Sequence, residues 1–440
     1  MRRKISDEER IIYDWNTLGA DITPLRRNVE FNDETLRDGL QSPSVVDPSI
    51  EDKKHILHLM DALGIHSADI GMPCAGPRTK EAVSELAKEI RDARLRLKPN
   101  CAARTVIGDI VPIVEISQSV GIPIEACTFL GSSPIRQYVE GWSVDDLKKL
   151  TEKAVGYAVK EGLPVMFVTE DTTRAKPKDL QELYLTAIRA GANRICLADT
   201  VGHATPTGVT NLVRFIVEML REHELTGIKI DWHGHRDRGL SVLNSLSAIE
   251  AGAHRVHGTA FGIGERCGNT PLDVLMVNCK LMGYIQNDLT KLYEYCQFIS
   301  RSVHVPISPN YMVVGRDAFR TATGVHAAAV IKAEEKGHAW LADRIYSGVP
   351  ASLVGREQII EIGPMSGESG VIYWLKRHNL QPRKKLIEAV FSEAKKSQRI
   401  LTDEEVMAIV EREVGERQKE TRSDSGGKPP RTRQARFHIR

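Results

Sequence analysis

Two imidazoles one residue apart, His233 and His235, close the apolar run Ile228–Trp232. In an extended strand residues i and i+2 share a face, so both rings project together and can hold one metal ion. Just beyond them Leu240, Leu243, Leu246 and Ile249 recur at helical spacing, which predicts that the strand ends at the pair and a helix follows. The bland alternative is two rings packed by a neighbouring aromatic such as Trp232.

The elements that must position the pair form a rhythm of short β-prone runs, polar turns and helical patterns. The β-prone runs are Asn28–Asn32, Ser67–Met72, Asn100–Ile107, Ile122–Phe129, Pro164–Thr169, Arg194–Ala198, Ile228–His233 and Ala253–Thr259. Helical patterns between them include Lys53–Leu63, Thr79–Ala93, Ser143–Lys160, Asp179–Ala190 and Val209–Arg221. Eight strand–helix repeats over roughly 240 residues fit a (β/α)8 TIM barrel. A doubly wound open sheet is disfavoured, because no Gly-x-Gly-x-x-Gly follows the first run. Chemistry in such a barrel gathers at the C-terminal strand ends. There stand Asp33, Arg37 and Asp38; Arg104; Glu170 and Asp171; Asp199 and Thr200; the two histidines; and Glu265, Arg266 and Asn269. A purely structural barrel has little reason to collect ionisable groups at one end, so the pattern predicts an enzyme.

Composition agrees. The 440 residues are 41% hydrophobic and 27% charged, a soluble globular balance, and a net charge of +2 does not suggest a nucleic-acid surface. Seven cysteines without close pairing predict reduced thiols in a cytoplasmic protein. The opening MRRKISDEERIIYDW is too charged for a signal peptide, and no apolar run is long enough to span a bilayer. The expected organisation is a lead-in over 1–24, a catalytic barrel over 25–284, a helical accessory and dimerisation region over 285–416, and a basic disordered tail over 417–440.

Three separated motifs, Glu34-Thr-Leu-Arg-Asp-Gly-Leu-Gln41, His233-x-His235 and Gly264-Glu-Arg-Cys-Gly-Asn269, together resemble the DRE-TIM metallolyase family. That family contains the 2-isopropylmalate, homocitrate and citramalate synthases and the 3-hydroxy-3-methylglutaryl-CoA lyases. The resemblance implies that Asp38, His233, His235 and Asn269 hold a divalent cation (Zn, Mn, Mg or Co) that a 2-oxo acid chelates. Arg37 resembles an arginine that stabilises charge on the keto or enolate oxygen, with a salt bridge at the barrel mouth as its alternative. Glu170 matches a glutamate placed near the acyl-CoA methyl group, and Thr200 a threonine that binds the oxo-acid carboxylate. Gln41 and Arg104 are further substrate-binding candidates. Thr323-Gly-Val-His326, and Tyr346 before Pro350-Ala-Ser-Leu-Val-Gly355, resemble segments that complete the active site of the other subunit in a homodimer. His326 is there a candidate general base.

The chain also departs from the family pattern. Arg236 replaces the usual Asn after the second histidine, and Gly363-Pro-Met-Ser-Gly367 differs from the synthases' Gly-Lys-His-Ser-Gly. Arg37-Asp-Gly-Leu-Gln41 is closer to the lyases, yet Gly262-Ile-Gly-Glu-Arg266 lacks their cysteine-bearing loop. Two substrate clues conflict. Arg136, in Ser132-Ser-Pro-Ile-Arg136, resembles homocitrate synthases and suits a distal carboxylate. Met166 and Val168 stand where those enzymes place Arg and Ser, and favour a branched aliphatic acid such as 2-oxoisovalerate. The resemblance implies condensation of acetyl-CoA, or another acyl-CoA, with a 2-oxo acid, as in the 2-isopropylmalate synthases of leucine biosynthesis. Carbon–carbon cleavage by a lyase or aldolase, and a non-catalytic acyl-CoA-binding barrel, are the alternatives.

Overall fold

Eight parallel strands close a barrel in sequence order: β1 Glu30–Asp33, β2 Ser67–Asp69, β3 Lys98–Arg104, β4 Glu125–Gly131, β5 Val165–Glu170, β6 Arg194–Asp199, β7 Lys229–Gly234 and β8 Arg255–Gly258. The computed structural model describes residues 11–17, 29–337 and 339–424, the last nine as backbone only. Asn32 of β1 is in register with Ser67 of β2 on one side and His257 of β8 on the other, which closes the ring. This is the (β/α)8 barrel expected from the repeat.

Four of the five expected helices begin two or three residues earlier than their apolar spacing suggests. Pro77–Asp92, Pro177–Arg189 and Pro206–Glu222 each open on a proline, whose fixed φ suits the first helical position and whose missing N–H costs nothing there. Ser143 opens the helix Val144–Lys160 with a capping box to Asp146. The third strand stops at Arg104, and a helix, Ile107–Val120, occupies the end of the run expected to be strand. Gly108 and Pro112 make that segment a poor helix by propensity. Burial of Ile110, Ile113, Val114 and Ile116 overrides it. Leu243, expected on the buried face of the helix Ser241–Ala251, is 55% exposed, while Leu246 and Ile249 are buried.

Strand alternation sends one set of side chains outward to the helices, including the fully buried Phe31, Phe167 and Trp232. The inward set is mixed, apolar at Cys127, Met166 and Cys196 and polar elsewhere. Asn32 Oδ1 accepts from Ser67 Oγ and Asn100 Nδ2, both at 2.6 Å. Asp231 accepts from Arg194 Nη1 and Arg255 Nε, both at 2.5 Å, and Arg255 Nη2 donates to Glu125 at 2.6 Å. Buried charges of this kind persist because each is paired. Asp231 is held well below the usual carboxylate range: burial pushes it up, and Arg255, Arg194 and His257 outweigh that push.

The barrel unit runs to Ser308, past the boundary expected at 284. The strand rhythm does stop near 285, but the next helix, Leu292–Ser302, belongs to the barrel. It buries Leu292, Tyr295, Cys296 and Ile299, and Tyr295 Oη donates to Asp33 of β1. The second unit starts at Pro309 and is mainly helical. Its elements are a two-stranded parallel pair, Arg320–Thr321 with Ile359–Ile360, and the helices Gly324–Glu335, Ala339–Ala342, Glu368–Arg377, Lys384–Lys396 and Asp403–Asp424. One apolar cluster gathers Ile362, Val371, Trp374, Leu375 and Val390; a second gathers Ala327, Val330, Ala333 and Ile360. The final helix continues to Asp424, inside the segment expected to be a disordered tail, and 425–440 lie outside the described residues. Of the expected lead-in, 1–10 and 18–24 lie outside them too. Among the described residues no helix is long and apolar enough to cross a membrane, and all seven cysteines carry free thiols.

Candidate active site and metal centre

The period of two in β7 places Asp231, His233 and His235 on the barrel's inner side and buries Trp232 outside it. His235 pairs with Asn269 in an isolated antiparallel bridge, which brings the Gly264–Asn269 loop over the strand end. Arg236 fastens the same loop: its backbone N–H donates to Gly268 O at 3.0 Å and its Nε to Cys267 O at 2.5 Å. The departure from Asn at this position therefore has a structural use. Gly264 has φ +150°, and a Cβ there would strike the Asn269 amide and lie 3.0 Å from Asp38 Oδ1, so only glycine lets the loop approach.

One potential ligand atom from each of Asp38, His233 and His235 lies within 4.8 Å of the others, and all three residues are buried. Asn269 joins them, its Nδ2 donating to Asp38 Oδ1 at 2.6 Å. Two buried polar atoms of this cluster, Asn269 Oδ1 and His235 Nδ1, have no hydrogen-bond partner among the described residues. Such orphans are costly and ask for a ligand. Burial and the neighbouring His233 hold the His235 pKa down at about 4, so the ring is neutral at pH 7 and keeps a lone pair to give. His233 Nδ1 lies 2.7 Å from Glu34 Oε2, which leaves its other nitrogen for the cluster. Two imidazoles, a carboxylate and an amide oxygen fit a divalent cation of the kind expected.

Arg37 lies beside this cluster. Its Nε donates to Asp69 at 2.8 Å, Nη1 to Asp38 at 2.9 Å and Nη2 to Glu34 at 3.3 Å. These contacts take three of its five N–H groups. Burial opposes a charged Asp38, but Arg37, His233 and His235 bring its pKa below the usual value. Asp69 is different: burial dominates there and pushes its carboxyl up to about 6.

A cavity of about 220 Å³ opens over the cluster and is bordered by Arg37, Asp38, Gln41, Glu170, Thr200, His233 and His235. An apolar stretch of its wall is formed by Ala102, Cys127, Phe129, Met166, Val168, Cys196 and Ala198, while Glu265 and Arg266 add charge at the rim. Glu170 is raised by burial, with Arg136 partly opposing. Thr200 Oγ1 accepts from Asp171 N at 2.8 Å, so its own hydrogen remains for a ligand.

Two other expected residues are not brought to the cavity. Arg104 points to Asp109, donating through Nε at 2.6 Å, and its side chain is 63% exposed. Arg136 lies beside the site, with Nε 3.2 Å from Glu170 Oε1 and Nη1 3.0 Å from Glu140. His326 and Tyr346 belong to the second unit, where their rings stack at 4.0 Å and 24° on an exposed face.

The structure also brings in groups that the motifs gave no role: Asp69, Glu34 and His257, all lining the same cavity. Strand parity carried a signal for two of them. Asp69 is two residues from Ser67 on β2, and His257 two from Arg255 on β8. Glu34 lies inside the first motif, four residues before the metal-ligand candidate Asp38. Its pKa is low: burial raises it, but His233, His257 and Arg37 together bring it well below the usual range.

Comparison with known proteins adds an independent observation. The family model described as HMGL-like matches residues 28–299. A 2-isopropylmalate synthase from Methanocaldococcus jannaschii is 33% identical over 401 residues, 89% of this chain and 72% of that protein. Homocitrate synthase AksA from Methanopyrus kandleri is 33% identical over 366 residues, 82% of this chain and 86% of that protein. Among solved structures, the HMG-CoA lyase of Bacillus subtilis superposes with a TM-score of 0.54 at 21% identity, over 65% of this chain and 97% of that one. That last likeness is one of fold.

Proposed function

Because the chain belongs to the HMGL-like family, we propose that it condenses acetyl-CoA with a 2-oxo acid bearing an apolar side chain, as a cytoplasmic 2-isopropylmalate synthase-like acyltransferase. With water, the products are CoA and a 2-alkylmalate. The observation that carries the reading is a four-donor cation cluster, with Arg37 beside it, opening into a small cavity that has an apolar stretch of wall.

A divalent cation held by Asp38, His233, His235 and Asn269 would draw electrons from the keto group of the oxo acid. The chain's own groups do the rest. Arg37, anchored by three carboxylates, offers its remaining N–H groups to the oxygen on which charge develops. Thr200 donates its hydroxyl hydrogen to the substrate carboxylate, and Gln41 lines the same mouth. Glu170 has the raised proton affinity that suits moving a proton at the acetyl methyl group, directly or through a partner. Met166, Val168 and Phe129 exclude water around the oxo-acid side chain. Arg136 is drawn off to Glu170 and Glu140 and does not line that wall, which favours a branched aliphatic acid over a dicarboxylic one. His326 and Tyr346, exposed on the second unit, serve the site of a partner subunit in a homodimer.

The test is direct. Cation-loaded protein is mixed with acetyl-CoA and a panel of 2-oxo acids, and thiol release is followed. Release that requires 2-oxoisovalerate or a close aliphatic analogue supports the reading. Release with 2-oxoglutarate alone points to a homocitrate-type reaction, cleavage of a hydroxyacyl-CoA without release points to a lyase, and no turnover at all refutes catalysis.

A further inference from the structure

We propose that His257 is a positioning residue for the cation cluster, clamping the Glu34 carboxylate so that Glu34 in turn fixes the tautomer and tilt of His233. The inference rests on the reading of Asp38, His233, His235 and Asn269 as cation ligands.

His257 is 1% exposed and faces a carboxylate at each ring nitrogen: Nδ1 is 2.9 Å from Glu34 Oε1, and Nε2 is 2.9 Å from Asp231 Oδ2. The other oxygen of Glu34 lies 2.7 Å from His233 Nδ1. The two imidazole rings stand nearly perpendicular, 80° apart with centroids at 5.9 Å, one on each side of that carboxylate. Asp231 is itself fixed by Arg194 and Arg255. A continuous line of hydrogen bonds therefore climbs from the ionic interior of the barrel to the metal-ligand candidate, and every link in it is a side chain locked by its neighbours.

The consequence is chemical. An ionised carboxylate only accepts hydrogen bonds, so its contact requires the proton of His233 to sit on Nδ1 and leaves the Nε2 lone pair for a cation. Partners behind a ligating histidine orient the ring and raise its donor strength. Glu34 can do this only while its own rotation is stopped, and His257 with Arg37 stops it. Ligand atoms of Glu34, His233 and His257 also lie within 4.8 Å of one another, as a second ion would need. The contacts of 2.7 and 2.9 Å already use both Glu34 oxygens as hydrogen-bond acceptors, which favours a clamp over a second ion.

Cobalt(II) binding to the full chain tests this without relying on turnover. Co²⁺ is titrated against a competing chelator, and its visible ligand-field spectrum is recorded, for the unaltered protein and for His257→Leu, His257→Gln and Glu34→Gln. The expected result is one Co²⁺ per chain, bound about 10- to 100-fold more weakly by His257→Leu and Glu34→Gln, with a shifted spectrum in each. His257→Gln, able to engage one carboxylate, falls between. Should His257→Leu fail to fold, the near-isosteric Glu34→Gln decides. Folded variants that bind Co²⁺ within twofold of the unaltered chain with the same spectrum overturn the proposal. So does a stoichiometry of two that drops to one in His257→Leu. No Co²⁺ uptake by the unaltered chain overturns the ligand reading itself, and the proposal with it.

Discussion

Asp33 offers a stability prediction with a worked magnitude. It is fully buried behind the site; Thr35 N donates to its Oδ1 at 2.9 Å and Tyr295 Oη to its Oδ2. Burial dominates these contacts and raises its pKa from 3.8 to about 6. A carboxyl whose folded pKa exceeds its unfolded value costs little at low pH, where both states hold the proton. The cost grows as pH rises from about 4 through 6 and is constant above that. Two pKa units correspond to about 3 kcal/mol. Asp33→Asn keeps the shape and the acceptor for Thr35, and the Tyr295 hydroxyl can turn to accept from the new amide while donating to Thr35 Oγ1, 3.3 Å away. The variant should therefore be more stable at pH 7 by up to about 3 kcal/mol, but by under about 1 kcal/mol at pH 4. Urea unfolding of both proteins at pH 4, 5, 6 and 7 measures the difference. A variant less stable at pH 7, or a difference flat across that range, would refute the assignment of burial as the dominant cause.

Other outcomes test the site. Arg37→Gln should lower kcat about 10²- to 10³-fold with a smaller change in KM, the usual cost of losing a donor to a developing oxyanion; steady-state kinetics decide. Gly264→Ala should destabilise by roughly 1–3 kcal/mol and weaken Co²⁺ binding, because the strained φ and the Asn269 collision act together. A thermal melt and a Co²⁺ titration check it. If sites are shared between subunits, mixing and reassembling inactive His326→Ala with inactive Arg37→Ala should restore about a quarter of full activity, the yield of random pairing in a two-fold dimer. No recovery would count against sharing.

The sequence carried the barrel and the histidine pair because both are written in short-range periodicities. The two histidines close a strand, where a period of two fixes which way they face, whereas Asp38, in the turn after β1, was legible only through its motif. Asn269 was legible only through its motif, since the bridge to His235 that seats it is a tertiary contact. Glu34, His257 and Asp69 were overlooked because a buried ionisable residue in or just past a strand looks like an error until its partners, hundreds of positions apart for Glu34 and His257, are seen beside it. Arg104 was placed by strand-end logic, yet a nearby acid at Asp109 captured it. The boundary expected at 284 shifted to Ser308 because hydrophobic spacing marks a helix without saying which core receives it.

The parity of β7 has a further consequence. Were that strand to slip by one residue against its neighbours, Trp232 and Gly234 would replace the imidazoles inside, and the bulky indole would occupy the mouth. Chains caught in that slipped arrangement would be silent rather than merely slow. Cobalt bound per mole of purified polypeptide therefore doubles as an assay of correct barrel closure, and refolding yields can be scored by stoichiometry before any substrate is added.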